Sequence, residues 1–136
     1  MKGLNELVLP EDLRYSTSHE WARAEPGGRV RIGISDYAQD QMGDIVFVDL
    51  PEEGIVLAKG DELGTVESVK AVAEIYAPVA GSVAAVNKDL SESPELVNKD
   101  PYGRGWMVEL EGVDEAELDA LMSRVDYLAG LDREED

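Results

Sequence analysis

Hydrophobic and polar positions alternate with a period of two through much of this chain, which predicts short, half-buried β-strands. Val30, Ile32 and Ile34 alternate with Arg31 and Gly33 in one such run. Others centre on Trp21 after Arg14, on Ile45-Val-Phe-Val-Asp-Leu50, on Gly81 within residues 79–86, and on residues 106–110, expected to close the sheet. Turn chemistry separates them at Pro26-Gly-Gly28, Pro51-Glu-Glu-Gly54 and Lys59-Gly-Asp61. The period changes in two places. Ser35 or Asp36 can cap a short helix through Met42, which Gly43 ends. From Asp114 onward Leu118, Leu121, Met122, Val125 and Leu128 recur at helical spacing, with a capping box at Asp114 and Glu117 and a stop at Gly130. That predicts one amphipathic helix over about 114–129, docked on the sheet or free for a partner. The first ten residues read as a loosely ordered lead-in, and Arg133-Glu-Glu-Asp136 as a solvated end. The pattern alone licenses a mainly β fold with many turns.

The run from Gly64 to Pro78 folds back on itself between Val69 and Lys70 with regular pairing. Ser68 faces Ala71, Glu67 faces Val72, Val66 faces Ala73, Thr65 faces Glu74 and Gly64 faces Ile75. Alternation then puts Val66, Ala73 and Ile75 on one apolar face, and Thr65, Glu67 and Glu74 on the wetter one. The result is a β-hairpin with a lysine at its tip. Two-residue hairpin turns favour Asn-Gly or Asp-Gly because φ must be positive there. Val-Lys has no such preference, and a break with local turn rules often marks a working site. Two readings stand on the residues alone: an ordinary surface hairpin, or a fixed, exposed lysine for covalent attachment of a prosthetic group.

Composition narrows the chemistry. The 136 residues fit one domain with its own core. Thirty acidic residues against twelve basic ones give a formal charge of −18, which repels phosphate backbones and anionic lipids and favours partners with a basic face. Nucleic acid and membrane are therefore not expected partners. The first ten residues lack the character of a signal or transit peptide, so a cytoplasmic location is expected. There is no cysteine, which removes disulfides, thiolate metal ligands and thiol nucleophiles. The one histidine, His19, makes no zinc site by itself and reads as structural. Gly103 and Gly105 lack the lysine and hydroxyl of a phosphate loop, so the Pro101–Trp106 run reads as a tight turn that packs Trp106 in the core.

Several motifs add a resemblance. Glu67-Ser-Val-Lys-Ala71, followed by Ala77-Pro78 and Gly81, resembles the attachment hairpin of lipoyl-bearing domains. Biotinyl domains carry Met-Lys-Met at the tip, where this chain has Val69 and Ala71; the Asp-Lys-Ala of 2-oxo acid dehydrogenase lipoyl domains also differs at Val69. With His19-Glu-Trp21, Gly33-Ile-Ser-Asp-Tyr-Ala38, residues 43–51 and Asn98-Lys-Asp-Pro-Tyr-Gly-Arg-Gly-Trp106, the chain resembles the glycine cleavage H-protein family from about Tyr15 to Leu128.

The resemblance implies a flattened antiparallel barrel or sandwich with a lipoyl/biotinyl-domain-like hybrid motif, a short helix in its N-terminal half and a C-terminal amphipathic helix. The whole chain, 1–136, would be a single lipoyl-carrier domain with its core at about 15–112. It implies lipoate on Lys70, with Glu67 recognised by the lipoylating enzyme; Glu67 as a solvated strand carboxylate is the plain alternative, and Glu74 has a weaker claim. The implied role is a non-catalytic shuttle. It carries an aminomethyl group from a pyridoxal-phosphate glycine decarboxylase to an aminomethyltransferase that uses tetrahydrofolate, then presents the dithiol to a dihydrolipoyl dehydrogenase that uses FAD. An H-like relay that hands lipoate to other lipoyl-dependent complexes is the alternative. An enzyme with Lys70 as a Schiff-base amine would need a desolvated or cation-flanked lysine, and Glu67 and Glu74 make the opposite surroundings.

Overall fold

In the computed structural model, which describes residues 2–135, the alternating runs become strands that pair antiparallel in two sheets. The larger sheet runs in the order β1 (Arg14–Tyr15), β2 (Glu20–Ala24), β3 (Val30–Ile34), β9 (Val108–Glu111), β8 (Gly81–Val86) and β5 (Val56–Leu57). The smaller places β6 (Glu62–Ser68) between β4 (Ile45–Asp49) and β7 (Val72–Tyr76). The buried faces of both supply one core, with Ile32, Ile34 and Leu110 from the larger sheet and Val48, Val66 and Ile75 from the smaller. This is a flattened sandwich and not a closed barrel. β9, the last strand in sequence, joins the two parts of the larger sheet from inside, between β3 and β8.

Local chemistry accounts for the connections. Ser35 caps helix α1 (Asp36–Met42) by accepting from the Ala38 N–H, and Gly43, with φ 77°, ends it. Glycine is required at Gly64 for a different reason. A Cβ there would overlap the carbonyl oxygen of Asp49, so the absence of a side chain sets how closely β4 and β6 approach.

Two terminal segments depart from expectation. The lead-in is not loose: Leu7 and Leu9 are buried, the Val8 N–H donates to Asp36, and the Tyr102 hydroxyl donates to the Val8 carbonyl. These residues form a second apolar cluster with Tyr15, Trp21, Tyr127 and Leu131. Tyr15 and Tyr127 stack in it with ring centroids 4.6 Å apart. The tail is two helices where one was expected, α3 (Glu115–Asp119) and α4 (Arg124–Glu135). Between them Met122 exchanges two backbone hydrogen bonds with Tyr15, extending the sheet by one bridge.

That break changes the helical phase, so Val125 faces water while Tyr127 and Leu131 dock. Gly130 lies inside α4 and stops nothing. Asp114 does cap α3, accepting from the Ala116 N–H, but Glu117 reaches across to the Ala80 N–H instead of closing a capping box. Trp21 is the fully buried tryptophan; Trp106 is half-buried beneath the Arg31 guanidinium at 4.7 Å. The solvated end expected at 133–136 concerns side chains outside the described residues.

Gly64→Ala should lower the urea midpoint, because β4 and β6 must part to admit the methyl group. Overpacking of this kind costs about 1–3 kcal/mol. An unchanged midpoint would show that the two strands can separate freely.

Candidate functional site

β6 and β7 pair in the register read from the sequence: Gly64 with Ile75, Thr65 with Glu74, Val66 with Ala73 and Glu67 with Val72. Val66 and Ile75 are buried beneath the sheet, and Glu67 and Glu74 are exposed above it. The pairing carries Val69 and Lys70 to an exposed tip.

The tip turns without glycine because it does not use positive φ. Among the described residues, the only non-glycine with positive φ is His19, at 76°. Side-chain and tertiary hydrogen bonds fix the Val-Lys turn instead. Ser68 donates its backbone N–H to the Ala71 carbonyl at 2.8 Å, and its buried hydroxyl accepts from the N–H groups of Lys70 and Ala71. The Val69 N–H donates to the Asp44 carbonyl at 3.1 Å. Asp44 is itself held from both sides by Asn98, on the short helix α2 (Leu96–Lys99). Asn98 donates to the carbonyl of Gly43 and accepts from the N–H of Ile45, each at 2.8 Å. Its amide also donates to Gln39. Lys70 lies over this corner, its Cε 3.6 Å from where a Cβ on Gly43 would stand. The lysine thus leaves a braced backbone and extends into water.

Glu67 stands next to Val72 across the hairpin, and among the described residues no ion pair joins it to Lys70. Beside the corner opens a cleft of about 170 Å³. Its lining includes Ser18, His19, Tyr37, Met42, Ala73 and Glu74. His19 packs there against Tyr37 and shares a 2.8 Å hydrogen bond between Nδ1 and the Tyr127 hydroxyl, consistent with its structural reading. No group of three metal-ligating side chains is assembled among the described residues.

Behind the cleft sits a feature the sequence reading missed. Glu20 is 1 % exposed, and its carboxylate accepts from the hydroxyls of Ser16 and Ser18 and from the Tyr76 N–H at the end of β7. Burial pushes its carboxyl above the usual range against the pull of those bonds. Asp36 behaves oppositely. Burial pushes it up too, but hydrogen bonds from Lys2, the Val8 N–H and Gln39 outweigh that and hold it below the usual range. The serines in Ser16-x-Ser18-x-Glu20 were the available signal, since on one extended turn both can reach the carboxylate.

Comparison with known proteins places the chain among relatives of one family. The family described as Glycine cleavage H-protein matches residues 13–134. A glycine cleavage system H protein of Listeria innocua is 55 % identical over 126 residues, covering 93 % of this chain and 100 % of that protein. One of Carboxydothermus hydrogenoformans is 52 % identical over 127 residues, with 93 % and 97 % covered. Among solved structures, the crystal structure of a glycine cleavage system H protein from Mycobacterium marinum superimposes with a TM-score of 0.80 at 35 % identity, covering 91 % of this chain and 98 % of that one.

The two buried carboxylates should impose opposite pH slopes on stability. Glu20, raised in the folded state, stabilises fully below its unfolded value of 4.5 and loses that contribution as pH climbs through the raised folded value. Asp36 stabilises above its unfolded value of 3.8 and loses its contribution as pH falls below that through the depressed folded value. Urea midpoints over pH 2.5–8 (about) for wild type, Glu20→Gln and Asp36→Asn check this. Glu20→Gln should flatten the decline above 4.5, and Asp36→Asn the acid limb below 3.8. The reverse assignment would refute the reading.

Proposed function

Because this chain belongs to the glycine cleavage H-protein family, we propose that it is a lipoyl carrier whose prosthetic group is joined to Lys70 as an amide. The observation that carries this reading is the braced tip: an exposed lysine on a backbone whose turn is fixed by Ser68 and Asp44. The residues present fit the group, since amide formation asks of the protein only an accessible primary amine at a defined place. Met42, the neighbour of Gly43 in sequence, lines the largely apolar cleft with Tyr37, Val66, Ala73 and Ile75.

When bound on Lys70, the group would supply a disulfide–dithiol couple for exchanging an aminomethyl group and electrons with glycine decarboxylase, the tetrahydrofolate-dependent aminomethyltransferase and the FAD-dependent dihydrolipoyl dehydrogenase. The protein's residues supply position. Lys70 provides the reach, while Ser68, Asp44 and Asn98 keep its base from wandering. Tethering raises the local concentration of the arm at a docked partner to roughly millimolar or above. The chain as a whole, 1–136, acts in this reading as one carrier domain in the cytoplasm and catalyses nothing itself. Its charge of −18 suits partners with basic rims. Glu67 serves recognition by the lipoylating enzyme, being exposed on the strand that leads to the tip.

Lys70→Arg should fold with an unchanged melting curve and abolish glycine–bicarbonate exchange with purified partner enzymes, since arginine offers no acylable amine. Intact mass should show the lipoyl increment on wild type from its native source and never on Lys70→Arg. Substantial exchange by the variant would sink the assignment.

Glu67→Ala should leave stability within about 0.5 kcal/mol of wild type, as exposed changes do. It should slow modification when apo protein is incubated with lipoate, ATP and a lipoate ligase and its mass is followed against time. An unchanged rate would leave Glu67 a solvated strand carboxylate.

A further inference from the structure

The outer face of the β4–β6–β7 sheet carries apolar side chains where a sandwich in water would place polar ones. Phe47 is 53 % exposed and Val72 66 %. They flank Glu67 in one cross-strand row, because Phe47 pairs with Glu67 and Glu67 with Val72. The row exists because β4 is bulged. Its pairing slips between Ile45 and Phe47, so Ile45 and Val48 both point inward while Val46 and Phe47 point out. Unbroken alternation would have put Ile45 and Phe47 on the same face. A bulge that re-aims an aromatic side chain into solvent beside a site is a specified feature of the strand.

The row continues to the tip, where Val69 is 71 % exposed next to Lys70. Carboxylates rim it: Asp49, Glu74 and Asp44 are all exposed around its edge. Phe47, Val72 and Val69 therefore make an apolar ledge with one carboxylate at its centre and others around it, ending at the lysine. Such a face is matched by a partner surface with apolar bays and a cationic side chain between them.

We propose that this ledge is the docking surface for the enzyme that acylates Lys70, resting on the reading of Lys70 as the attachment site. The enzyme fits this place better than a partner of the finished carrier does. Acylation must bring the tip itself into an active site, and the ledge shares its strands with the tip. A loaded arm, by contrast, reaches a partner's site from a distance. In the step served, the Lys70 Nζ attacks the carboxyl carbon of lipoyl adenylate formed from lipoate and ATP. The amide C–N bond forms, the C–O bond to AMP breaks, and the amine proton leaves to solvent.

The test is kcat/KM for lipoylation of the apo protein by a lipoate–protein ligase with lipoate and ATP, read by intact mass. Phe47→Thr/Val72→Thr keeps strand-forming side chains while removing the apolar ledge. It should fall by about tenfold or more, chiefly through KM, as loss of interface anchors does. Val56→Thr/Val125→Ala, which changes exposed apolar positions on β5 and α4, should match wild type. Thermal melts of all proteins and the rate of Lys70 acetylation by a small reagent should be unchanged, separating lost docking from lost fold or lost access. Wild type modified at Lys70 with the double variant equal to it would overturn the ledge alone. An equal fall in the Val56/Val125 control would overturn it as well. No modification of wild-type Lys70 would overturn both the ledge and the reading it rests on.

Discussion

The hydroxyl of Ser68 is the contact on which the site depends. A hairpin tip of valine and lysine has no intrinsic reason to hold one shape, since neither residue prefers the left-handed conformations that tight hairpin turns use. Ser68 sits at the last buried position before the tip and accepts from the two N–H groups that the turn would otherwise leave to water. Serine and threonine hydroxyls make such local bonds readily, which is why they favour turns. Here the hydroxyl does what a glycine would do elsewhere, and it leaves both tip positions free to carry side chains. A glycine-based turn would have given up one of them.

The brace continues inward through Asn98. Its side chain joins α2 to both backbone neighbours of Asp44, and the Asp44 carbonyl receives the Val69 N–H. Three segments far apart in sequence thereby fix one peptide at the tip. Each bond is worth only about 0.5–1.5 kcal/mol net. Their value is geometric: exposed hydrogen bonds fray, and these are partly covered by the α1–β4 corner. In the proposed role, a lysine carrying a long, mobile arm is best served by a base that is neither.

What could be read in the sequence divides along the same line. The β6–β7 register was legible to the residue because it follows from alternation, a local rule, and the cap of α1 was narrowed to Ser35 or Asp36, of which Ser35 caps. The split of the C-terminal helix was not. Leu118, Leu121, Met122, Val125 and Leu128 keep helical spacing across residues 120–123, but Met122 gains two sheet bonds with Tyr15 by leaving the helix. Nothing near Met122 announces a partner more than a hundred residues earlier. The N-terminal arm fails for a like reason, since its order comes from Asp36, Tyr102 and Arg124. At the site, the lysine and the flanking glutamate were visible as residue types. Asn98 and Glu20 were visible only inside a resemblance, and the burial of Glu20 not at all, because a buried carboxylate looks like any other glutamate until its serines fold around it.

The β4 bulge shows where pattern reading and function part company. Ile45-Val-Phe-Val-Asp49 reads as an ordinary strand, and alternation would assign Phe47 to the core with Ile45. The core instead takes Ile45 and Val48, three residues apart, which only an extra residue in the strand can reconcile. Burying Phe47 would have gained roughly 1.5–3 kcal/mol of hydrophobic stabilisation, so its display in water is a cost to the isolated protein. That cost falls on the strand directly beside β6, in register with Glu67 and two residues from the position paired with Ser68. A sheet that brings a lysine to its tip also brings an unburied aromatic beside it, and the proposed account of both is the same: a face that another molecule completes.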